Sequence, residues 1–466
     1  MTYDKAFWLN QAWQCKDELI HEILTLISFR SVFTSDIWQK EFPFGSENAK
    51  CLQYLLDKAS SDGFITRNHD NYAGVIQYGS AKDALGIVCH LDVVDAEPSQ
   101  WKHDPFTGIV RDGVIYGRGS NDDKGPTMAA YMAMKIIARL NIPLRRSVHL
   151  ILGCNEESGM KCMDYYLSHE TQVPDIGFVP DGTFPVNFGE HGSAVFEISA
   201  PKPRYIQAVS GFLHKHIISG FASAAVAPWD SALTEAFQQY LCYNGLEGNT
   251  DLQAQTLRVI GKSAHGSRPH ESVNATKHLI NFLACHFHDE PMMALIRKLF
   301  REDGVGLNIA KSSYRFGPLS IAITGAIIEN NLLRIFLDCR YPTDITIEEI
   351  MQKLNRSLCD CDPAIALSLT EHSEGFFCDP QSYLPQTLLE TYRTYYPKDP
   401  SYGKVSAGDT YARKFKGRYL GFGPTTRDHL ANPLIGQAHQ PDEGMDIETL
   451  LKAVAVYCDV ICRLAG

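Results

Sequence analysis

Residues 117–126, with the sequence GRGSNDDKGP, constrain the fold of this chain more than any other stretch. The glycines allow a tight backbone path, and Pro126 is well placed for the first turn of a helix. Two adjacent carboxylates, Asp122 and Asp123, are therefore expected on a glycine-rich loop at the start of a helix. The segments on either side indicate that this loop is more than a turn.

Short apolar runs flank this loop, and each is followed by residues of the types that bind metals. The runs and the residues that follow them are 86–89 with His90 and Asp92, 148–153 with Glu156 and Glu157, and 176–179 with Asp181. In open α/β sheets, ligands bind just beyond the carboxyl ends of the strands. Carboxylates crowded beside an imidazole need positive charge to coexist, and a pair of divalent ions supplies it. The combination, rather than any single residue, predicts a metal site at one sheet edge.

Length and charge narrow the class of protein. A chain of 466 residues exceeds the size at which one hydrophobic core stops growing, so we expect two domains. The formal net charge of -11 argues against nucleic acid or an anionic membrane as the main partner. The amino terminus lacks the pattern of a signal peptide, and no apolar stretch has membrane-spanning length. We therefore predict an acidic, cytoplasmic enzyme.

The first part of the chain alternates between helical and extended patterns. Helices are predicted across residues 8–27, from a cap at Asn48 to a stop at Gly63, and from Pro126 to about residue 140. Extended runs are predicted between these helices and after them, including the run that ends at His90. This alternation, up to about residue 190, predicts a largely parallel sheet that is covered on both faces.

The pattern changes after about residue 190. Strands are predicted at 194–198, 256–260, 321–328 and 332–339, and helices at 231–242, 274–286 and 346–358. The last two strands are expected to form a hairpin. From about residue 384, helical and extended patterns alternate again. We therefore predict an α/β, two-domain protein with a mostly parallel sheet, in which 1–190 and 384–466 form one domain and 191–383 forms an inserted α+β domain.

Short motifs carry a resemblance to a known family. In chain order they are HLDVV at 90–94, DPF at 104–106 after Trp101, GRG and DDKGP within 117–126, NEESG at 155–159, PD at 180–181, GKSAHGS at 261–267, DCRYP at 338–342, TYAR at 410–413 and AHQP at 438–441. Together they resemble the M20 family of metallopeptidases, most closely its bacterial dipeptidase V group. The resemblance implies a zinc-peptidase-like catalytic domain with an inserted lid domain.

The resemblance also implies a centre of two divalent metal ions. Its expected ligands are His90 with Asp181 for one ion, and Glu157 with His439 for the other. Asp122 is expected to bridge the two ions, although Asp123 takes that place if the loop is shifted by one residue. Zn2+ is the first expectation for such a carboxylate-rich site, and Mn2+ and Co2+ are the alternatives.

Two acidic residues beside the ligands are expected to serve catalysis. Asp92 lies two residues after His90, on the same face of an extended chain, where its carboxylate can accept the ring N–H and set the tautomer. By resemblance, Glu156 is the general base that takes a proton from a metal-bridging water and passes it to the leaving amine.

Residues from the inserted and returning segments are expected to complete the site. By resemblance, His265 stabilises the oxyanion, and Arg340 binds the terminal carboxylate of the substrate. Gly408 and Thr410 are expected to contact the substrate, in a loop where Asp409 adds a negative charge and glycines are fewer than usual. This departure leaves substrate preference open and does not affect the expected metal centre.

Other residues depart from the family pattern or lie outside its motifs. Cys154-Asn155 replaces the Thr-Asp that often precedes the paired glutamates, which again concerns substrate preference. The histidines His214 and His216 match no family motif. We expect them to be ordinary surface or packing residues.

The function expected from these residues is hydrolysis of dipeptides or very short peptides by a metal-dependent dipeptidase. An N-acyl-amino-acid amidohydrolase on the same fold is the first alternative, and a non-catalytic binding protein is a remote one. By resemblance to the dipeptidase V group, the long inserted segment implies a monomer in which His265 serves its own chain. A small peptide is the expected partner, and neither nucleic acid nor membrane is expected.

Overall fold

The computed structural model describes residues 3–34, 41–212 and 214–466 of the chain. The chain separates into two compact units, the first formed by Met1–Gly189 with Phe377–Gly466 and the second by Glu190–Phe376. The first unit is therefore built from two separate parts of the chain. The proposal that the second unit acts as a lid on a catalytic domain stays a prediction.

The first part of the first unit contains five helices and eight strands within the described residues. The helices are α1 (Lys5–Gln14), α2 (Lys16–Ser28), α3 (Ser46–Ser61), α4 (Lys124–Arg139) and α5 (Lys161–His169). The strands are β1 (Ile65–His69), β2 (Ala73–Tyr78), β3 (Ala84–His90), β4 (Ile109–Arg111), β5 (Val114–Tyr116), β6 (Ser147–Gly153), β7 (Ile176–Val179) and β8 (Asn187–Glu190). The last of these strands leads into the second unit.

The second unit mixes strands and helices, as the change of sequence pattern predicts. Its strands are β9 (Gly192–Pro201), β10 (Ile206–Ser210), β11 (Ile217–Ile218), β12 (Phe221–Val226), β13 (Glu247–Asp251), β14 (Thr256–Ile260), β15 (Ala264–His265), β16 (Ser312–Ser313), β17 (Gly317–Pro318), β18 (Ser320–Glu329), β19 (Leu332–Tyr341) and β20 (Ala366–Ser373). Its helices are α6 (Ser231–Tyr243), α7 (Ala275–His286), α8 (Glu290–Leu299) and α9 (Ile347–Cys359).

The chain then returns to the first unit. The returning elements are β21 (Phe376–Phe377), α10 (Tyr383–Tyr395), β22 (Lys404–Ser406), β23 (Tyr419–Gly421), α11 (Arg427–Leu430), β24 (Gly444–Asp446) and α12 (Ile447–Ala465). In the part of the chain that the structure describes, no helix has both the length and the apolar character needed to cross a membrane.

A mixed sheet forms the centre of the first unit, in the strand order β1-β2-β6-β3-β7-β23-β8-β21, with β22 beside β8. The four strands β6, β3, β7 and β23 are parallel, whereas β1 and β2 pair antiparallel with their neighbours and β8 pairs antiparallel with β23. The α/β class is confirmed, but the sheet is parallel only at its centre. The short turn between β1 and β2 explains this difference at one edge, because such a turn can join only antiparallel strands.

The central strands β3 and β6 are buried along their whole length. Because alternate side chains of a strand point to opposite faces, continuous burial means that both faces are covered. Helices α4 and α12 pack against these strands, and α3 and α5 pack against β2. The carboxyl ends of β3, β6 and β7 therefore form an edge next to a buried core, and the residues that follow these strands lie along that edge.

One predicted helix cap is wrong. Helix α3 begins at Ser46, with Gly45 as its N-cap, and not at Asn48. Asn48 is instead buried in the first turn, where its amide donates to the carbonyl oxygen of Phe44 at 2.9 Å. Its amide side chain thus satisfies a buried carbonyl of the preceding segment. The expected stop at Gly63 is confirmed, since the helix ends at Ser61 and Gly63 adopts a φ of 91°.

Two sheets and two hydrophobic clusters organise the second unit. One sheet has the order β18-β19-β9-β20 and the other the order β10-β12-β14-β13. The predicted hairpin is present between β18 and β19, and it turns through Asn330 and Asn331 with φ values of 52° and 61°. Asparagine tolerates this left-handed conformation better than most residues. The short strands β11 and β15 pair so that Ile217 lies opposite His265.

Candidate metal centre

His90 is the last residue of β3, and its ring is held by a backbone contact. Its Nδ1 lies 2.9 Å from the carbonyl oxygen of Asp92, and the Asp92 carboxylate is 3.7 Å from the same atom. We expected the carboxylate to accept the ring N–H, and the choice of atom is wrong: the carbonyl accepts it. A proton on Nδ1 leaves the Nε2 lone pair free to bind a metal. Nε2 faces Asp122 at 2.9 Å and Asp181 at 3.9 Å.

The carboxylate of Asp92 supports the turn that follows β6. Its two oxygens accept the backbone N–H groups of Glu156 at 2.9 Å and Glu157 at 3.0 Å. These two contacts explain why the carboxylate is drawn away from the imidazole. The side chain is completely buried, and burial raises the pKa of Asp92 to about 6 despite the opposing effect of His90. Asp92 thus orients both glutamates through their backbone.

The structure brings together all five residues that were expected as metal ligands. These residues form two groups, and within each group the donor atoms all lie within 4.8 Å of one another. One group is His90 with Asp122 and Asp181, and the other is Asp122 with Glu157 and His439. Asp122 belongs to both groups. Its Oδ1 lies 2.9 Å from Nε2 of His90, and its Oδ2 lies 3.1 Å from Nε2 of His439. One carboxylate that directs each oxygen to a different group has the geometry of a bridge between two ions.

The alternative bridge, Asp123, points elsewhere. Its Oδ2 accepts the backbone N–H of His90 at 3.1 Å, and its side chain is completely buried. Asp123 is also the N-cap residue of α4. It therefore ties the loop to the end of β3, and the geometry favours Asp122 as the shared ligand. The ligand role itself stays a prediction.

Close packing of charges shifts the pKa values of this cluster in opposite directions. Burial opposes the charged form of His90, but its hydrogen bond and charge interaction with Asp122 raise its pKa well above the ordinary range. Burial likewise opposes the charged form of His439, while Glu157 and Asp122 raise its pKa. Burial favours protonation of Asp122, but hydrogen bonds with both imidazoles lower its pKa. Two divalent cations fit this donor set, because imidazole nitrogens and carboxylate oxygens can bind them while the cations balance the negative charge.

Glu156 lies beside the ligands without joining either group. Its Oε1 is buried and has no hydrogen-bond partner among the described residues. Burial raises the pKa of Glu156 well above its ordinary range, and the nearby carboxylates of Asp181, Glu157 and Asp122 add to this shift, while His90 opposes it. A buried carboxylate of raised proton affinity beside candidate metal ligands is suited to accept a proton.

The loop that carries Asp122 is ordered by Glu443, a residue that the sequence analysis missed. The Glu443 carboxylate accepts three backbone N–H groups of this loop and pairs with Arg118. Close packing also explains why residue 125 is a glycine, since a Cβ atom at this position would lie 2.0 Å from the carbonyl oxygen of Ser120. In the sequence, Glu443 stands in a Pro-Asp-Glu-Gly run that is typical of a solvated turn, so no local signal distinguishes it.

The loop before the 3-10 turn Tyr411–Phe415 contains the predicted substrate contacts. The N–H of Gly408 donates to Oγ of Ser406 at 3.0 Å, and Thr410 caps the turn by accepting the N–H of Ala412 at 3.1 Å. The added charge of Asp409 is paired with the buried side chain of Arg413. The contact of Gly408 and Thr410 with substrate stays a prediction.

The remaining predicted residues lie in the second unit. Arg340 is buried on β19, and its guanidinium binds the Asp338 carboxylate through Nε at 2.8 Å and Nη2 at 3.0 Å. Nδ1 of His265 lies 2.7 Å from Oγ of Ser267. Both residues keep their expected roles as predictions.

His216, which was expected to be an ordinary surface or packing residue, is half-buried and pairs with two carboxylates. Its Nδ1 lies 2.7 Å from Asp338 and its Nε2 lies 3.1 Å from Glu371. Its ring centre is 6.4 Å from that of His265. Burial opposes its charged form, but hydrogen bonds with the two carboxylates raise the pKa of His216 to about 9. No local pattern in the sequence indicates this network, because its members are far apart along the chain.

Comparison with known proteins adds independent findings. The family model described as Peptidase family M20/M25/M40 matches residues 86–463. A Staphylococcus saprophyticus protein named as a candidate dipeptidase is 29% identical over 476 residues, covering 98% of this chain and 99% of that protein. A Staphylococcus aureus protein with the same kind of name is 30% identical over 476 residues, with 98% and 99% covered.

Solved structures share the fold. Human carnosine dipeptidase 1 has a TM-score of 0.63 and 14% identity, with 99% of each chain covered. The M20 family metallo-carboxypeptidase Sso-CP2 of Sulfolobus solfataricus has a TM-score of 0.60 and 15% identity, with 96% of this chain and 99% of that chain covered. At these identities the likeness shows the fold alone, which is a mixed α/β fold with a large mixed sheet.

Proposed function

Because the chain belongs to peptidase family M20/M25/M40, whose model matches residues 86–463, we propose that it is a metal-dependent dipeptidase that hydrolyses dipeptides or very short peptides. The observation that carries the proposal is the pair of ligand groups that share Asp122, with Glu156 beside them. The names of its Staphylococcus relatives as candidate dipeptidases support the same substrate class.

The proposed reaction needs two divalent ions, which the candidate ligands would hold. Two divalent ions would polarise the scissile carbonyl and lower the pKa of the attacking water. His90 and Asp181 would hold one ion, Glu157 and His439 the other, and Asp122 both. The carbonyl of Asp92 keeps the His90 ring in the tautomer that presents Nε2. Zn2+ is the first candidate, and Mn2+ and Co2+ suit the same donor atoms.

Glu156 would move the proton. Its unpartnered Oε1 is available to accept a proton from the attacking water, and its raised pKa favours holding that proton until bond cleavage. The proton would then pass to the nitrogen of the leaving amine. The Asp92 carboxylate would help to position Glu156 for this step, because it accepts the backbone N–H of Glu156.

Substrate recognition is proposed for residues outside the ligand groups. His265 would stabilise the oxyanion, and Arg340 would bind the terminal carboxylate of the peptide. Asp338 holds the Arg340 guanidinium in one orientation, which suits a residue that must present fixed donors. Gly408 and Thr410 would contact the peptide from the returning loop.

The test combines metal analysis with a substrate panel. Purified protein is assayed for bound metals, stripped with a chelator, and assayed again after addition of Zn2+, Mn2+ or Co2+. Free dipeptides, matching N-acetyl dipeptides and tripeptides are compared as substrates. We expect activity on free dipeptides that is lost with the metal and restored by it. Faster cleavage of the acylated substrates would contradict a dipeptidase and favour an N-acyl-amino-acid amidohydrolase.

A further inference from the structure

Glu443 contacts the Asp122 loop through both of its carboxylate oxygens. Oε1 accepts the backbone N–H groups of Gly119 at 3.0 Å, Asn121 at 3.0 Å and Asp122 at 3.1 Å. Oε2 lies 2.5 Å from Nη1 of Arg118. The Glu443 side chain is completely buried, so water does not compete for these contacts.

Backbone contacts attach the same two segments. The N–H of Gly117 donates to the carbonyl oxygen of Glu443 at 2.9 Å. The next residues form β24, which pairs antiparallel with β5 so that Gly444 lies opposite Tyr116. The segment after His439 is therefore attached to the chain immediately before the Asp122 loop as well as to the loop itself.

This attachment sets the relation between two candidate ligands. His439 lies four residues before Glu443 in the returning segment, and its Nε2 is 3.1 Å from Oδ2 of Asp122. The backbone N–H of Asp122 in turn donates a hydrogen bond to the carboxylate of Glu443. A shift of the Glu443 side chain would thus change the position of the shared carboxylate relative to the imidazole.

The contacts need a carboxylate. Three N–H groups that converge on one point form an anion-binding concavity, and the second oxygen meets a guanidinium that is itself only 3% exposed. Arg118 is further held by the ring of Trp101, whose centre is 5.1 Å from its Cζ. A glutamine cannot replace this side chain without loss, because its NH2 would face either the three N–H donors or the guanidinium.

We propose that Glu443 is a positioning residue for the metal centre, which holds Asp122 and His439 at the separation needed to bind the same ion. It touches neither substrate nor metal and acts through the backbone of the Asp122 loop. This inference rests on the proposed function, because it takes Asp122 and His439 as metal ligands.

The test is the Zn2+ affinity of Glu443→Gln, measured without substrate by competition with a chromophoric chelator. Supporting residues around metal ligands typically contribute 10-fold to 100-fold in affinity, so we expect Kd to rise by about 10-fold or more. Saturating Zn2+ should restore much of the lost activity, since the ligands and Glu156 are intact. A role limited to stability would lower the thermal midpoint and leave Kd unchanged.

Glu170→Gln is the matched control. Glu170 belongs to the same unit, its side chain is 5% exposed, and it also pairs with an arginine, Arg67 on the edge strand β1. It contacts no segment that carries a candidate ligand in the described structure, so its replacement should leave Kd unchanged. An equal rise of Kd in the control, or wild-type Kd in folded Glu443→Gln, would overturn the proposal.

A second variant, Glu443→Asp, keeps the proposal testable if Glu443→Gln does not fold. Glu443→Asp keeps the charge and both acceptor oxygens, but its carboxylate is one methylene further from the loop. We expect a rise in Kd of several-fold, and an unchanged Kd would contradict the proposal. Because substrate is absent from these measurements, a wild-type protein that binds Zn2+ but cleaves no dipeptide would contradict the proposed function alone.

Discussion

At the scale of single residues, neighbouring glutamates have different surroundings and therefore different expected roles. Oε1 of Glu157 lies 3.0 Å from Nε2 of His439, within a ligand group. Oε1 of Glu156 is buried and, within the described residues, has no hydrogen-bond partner. Asp92 holds the backbone N–H groups of both. The turn thus places one carboxylate in a candidate ligand group and leaves an oxygen of the other without a partner.

Glu156→Ala should keep both metals and lose nearly all turnover. Removal of a positioned proton acceptor typically costs about 10²-fold or more in rate, and no ligand is changed. Metal content and kcat would be measured on the same preparation. Glu157→Ala is the matched variant, and it should lose metal first. Loss of metal by Glu156→Ala together with full activity after reconstitution would mean that the two roles are exchanged.

His439→Ala should weaken one metal site more than the other. His439 belongs only to the group with Glu157 and Asp122, so the ion held by His90 and Asp181 keeps its own ligands. We expect the Kd of the affected ion to rise by at least ~10-fold, measured by titration of the stripped protein with Zn2+. His90→Ala should affect the other ion. Equal weakening of both sites in His439→Ala would place His439 outside the ligand set.

At the scale of elements, side-chain networks connect strands that are not neighbours. In the second unit, β19 and β20 lie on either side of β9 in one sheet. His216, which precedes β11, contacts Asp338 of β19 and Glu371 of β20. Lys215 adds a contact with Glu371 at 2.8 Å, and Arg340 approaches Nδ1 of His216 at 3.4 Å. One imidazole ring thus joins the segment before β11 to β19 and β20.

The stability of this network should depend on pH. The hydrogen bonds with Asp338 and Glu371 outweigh burial and raise the pKa of His216 from 6.5 to about 9. Because the folded pKa is the higher one, this stabilisation is fully present below about pH 6.5 and is lost as pH rises towards 9. The same hydrogen bond lowers the pKa of Glu371 to about 2, so its stabilisation is present above its ordinary pKa and lost as pH falls towards 2.

The measurement compares thermal midpoints of the wild type and His216→Gln at pH 6 and pH 9. We expect the variant to be destabilised at pH 6 and to differ little from the wild type at pH 9. The groups that face this ring are Asp338, Glu371, Arg340, Lys215, His214 and His265. His270→Gln is the control, since its side chain is 78% exposed and should show the wild-type pH dependence. The same midpoint difference in both variants would contradict the prediction.

At the scale of the whole molecule, the chain leaves one compact unit at Gly189 and returns to it at Phe377. All five candidate ligands and Glu156 belong to the first unit, so the expected metal centre needs no residue from the second. His265 and Arg340 belong to the second unit. The proposed recognition of substrate is thus divided between the two units, because Gly408 and Thr410 belong to the first unit.

We predict a monomer in which His265 serves the metal centre of its own chain. The test mixes His265→Ala protein with Glu156→Ala protein, each of which should be inactive alone. No activity should return on mixing, because each chain lacks one required residue. Recovery of activity would mean that His265 acts on a partner chain, and the predicted monomer would be wrong. Sedimentation of the wild type gives an independent measure of its oligomeric state.

Local patterns in the sequence determined most elements and the edge on which the candidate site lies. Apolar runs that end in His90, Glu156-Glu157 and Asp181 predicted strand ends, and the structure places strand ends there. The hairpin between β18 and β19 and the stop of α3 at Gly63 were also predicted, because turn and cap residues act over a few positions. The predicted cap at Asn48 failed, because its amide satisfies the carbonyl of Phe44, four residues earlier, instead of capping the helix, and residue type alone does not distinguish these two local contacts.

Only the tertiary structure decided which atoms meet. His439 reaches Glu157 across 282 residues, Glu443 reaches the Asp122 loop, and the Asp92 carbonyl, not its carboxylate, holds His90. The first two contacts are set by how the returning segment packs on the sheet, and the third by the turn after β6, whose backbone N–H groups bind the Asp92 carboxylate. The family resemblance implied that His439 and Glu157 share an ion, but the local sequence does not indicate the contacts of Glu443 or of the Asp92 carbonyl. The sequence by itself therefore determined the types of residue at the candidate centre and the strand ends that carry several of them. Packing decided which oxygen of which carboxylate faces each imidazole, because those distances depend on elements that are far apart along the chain.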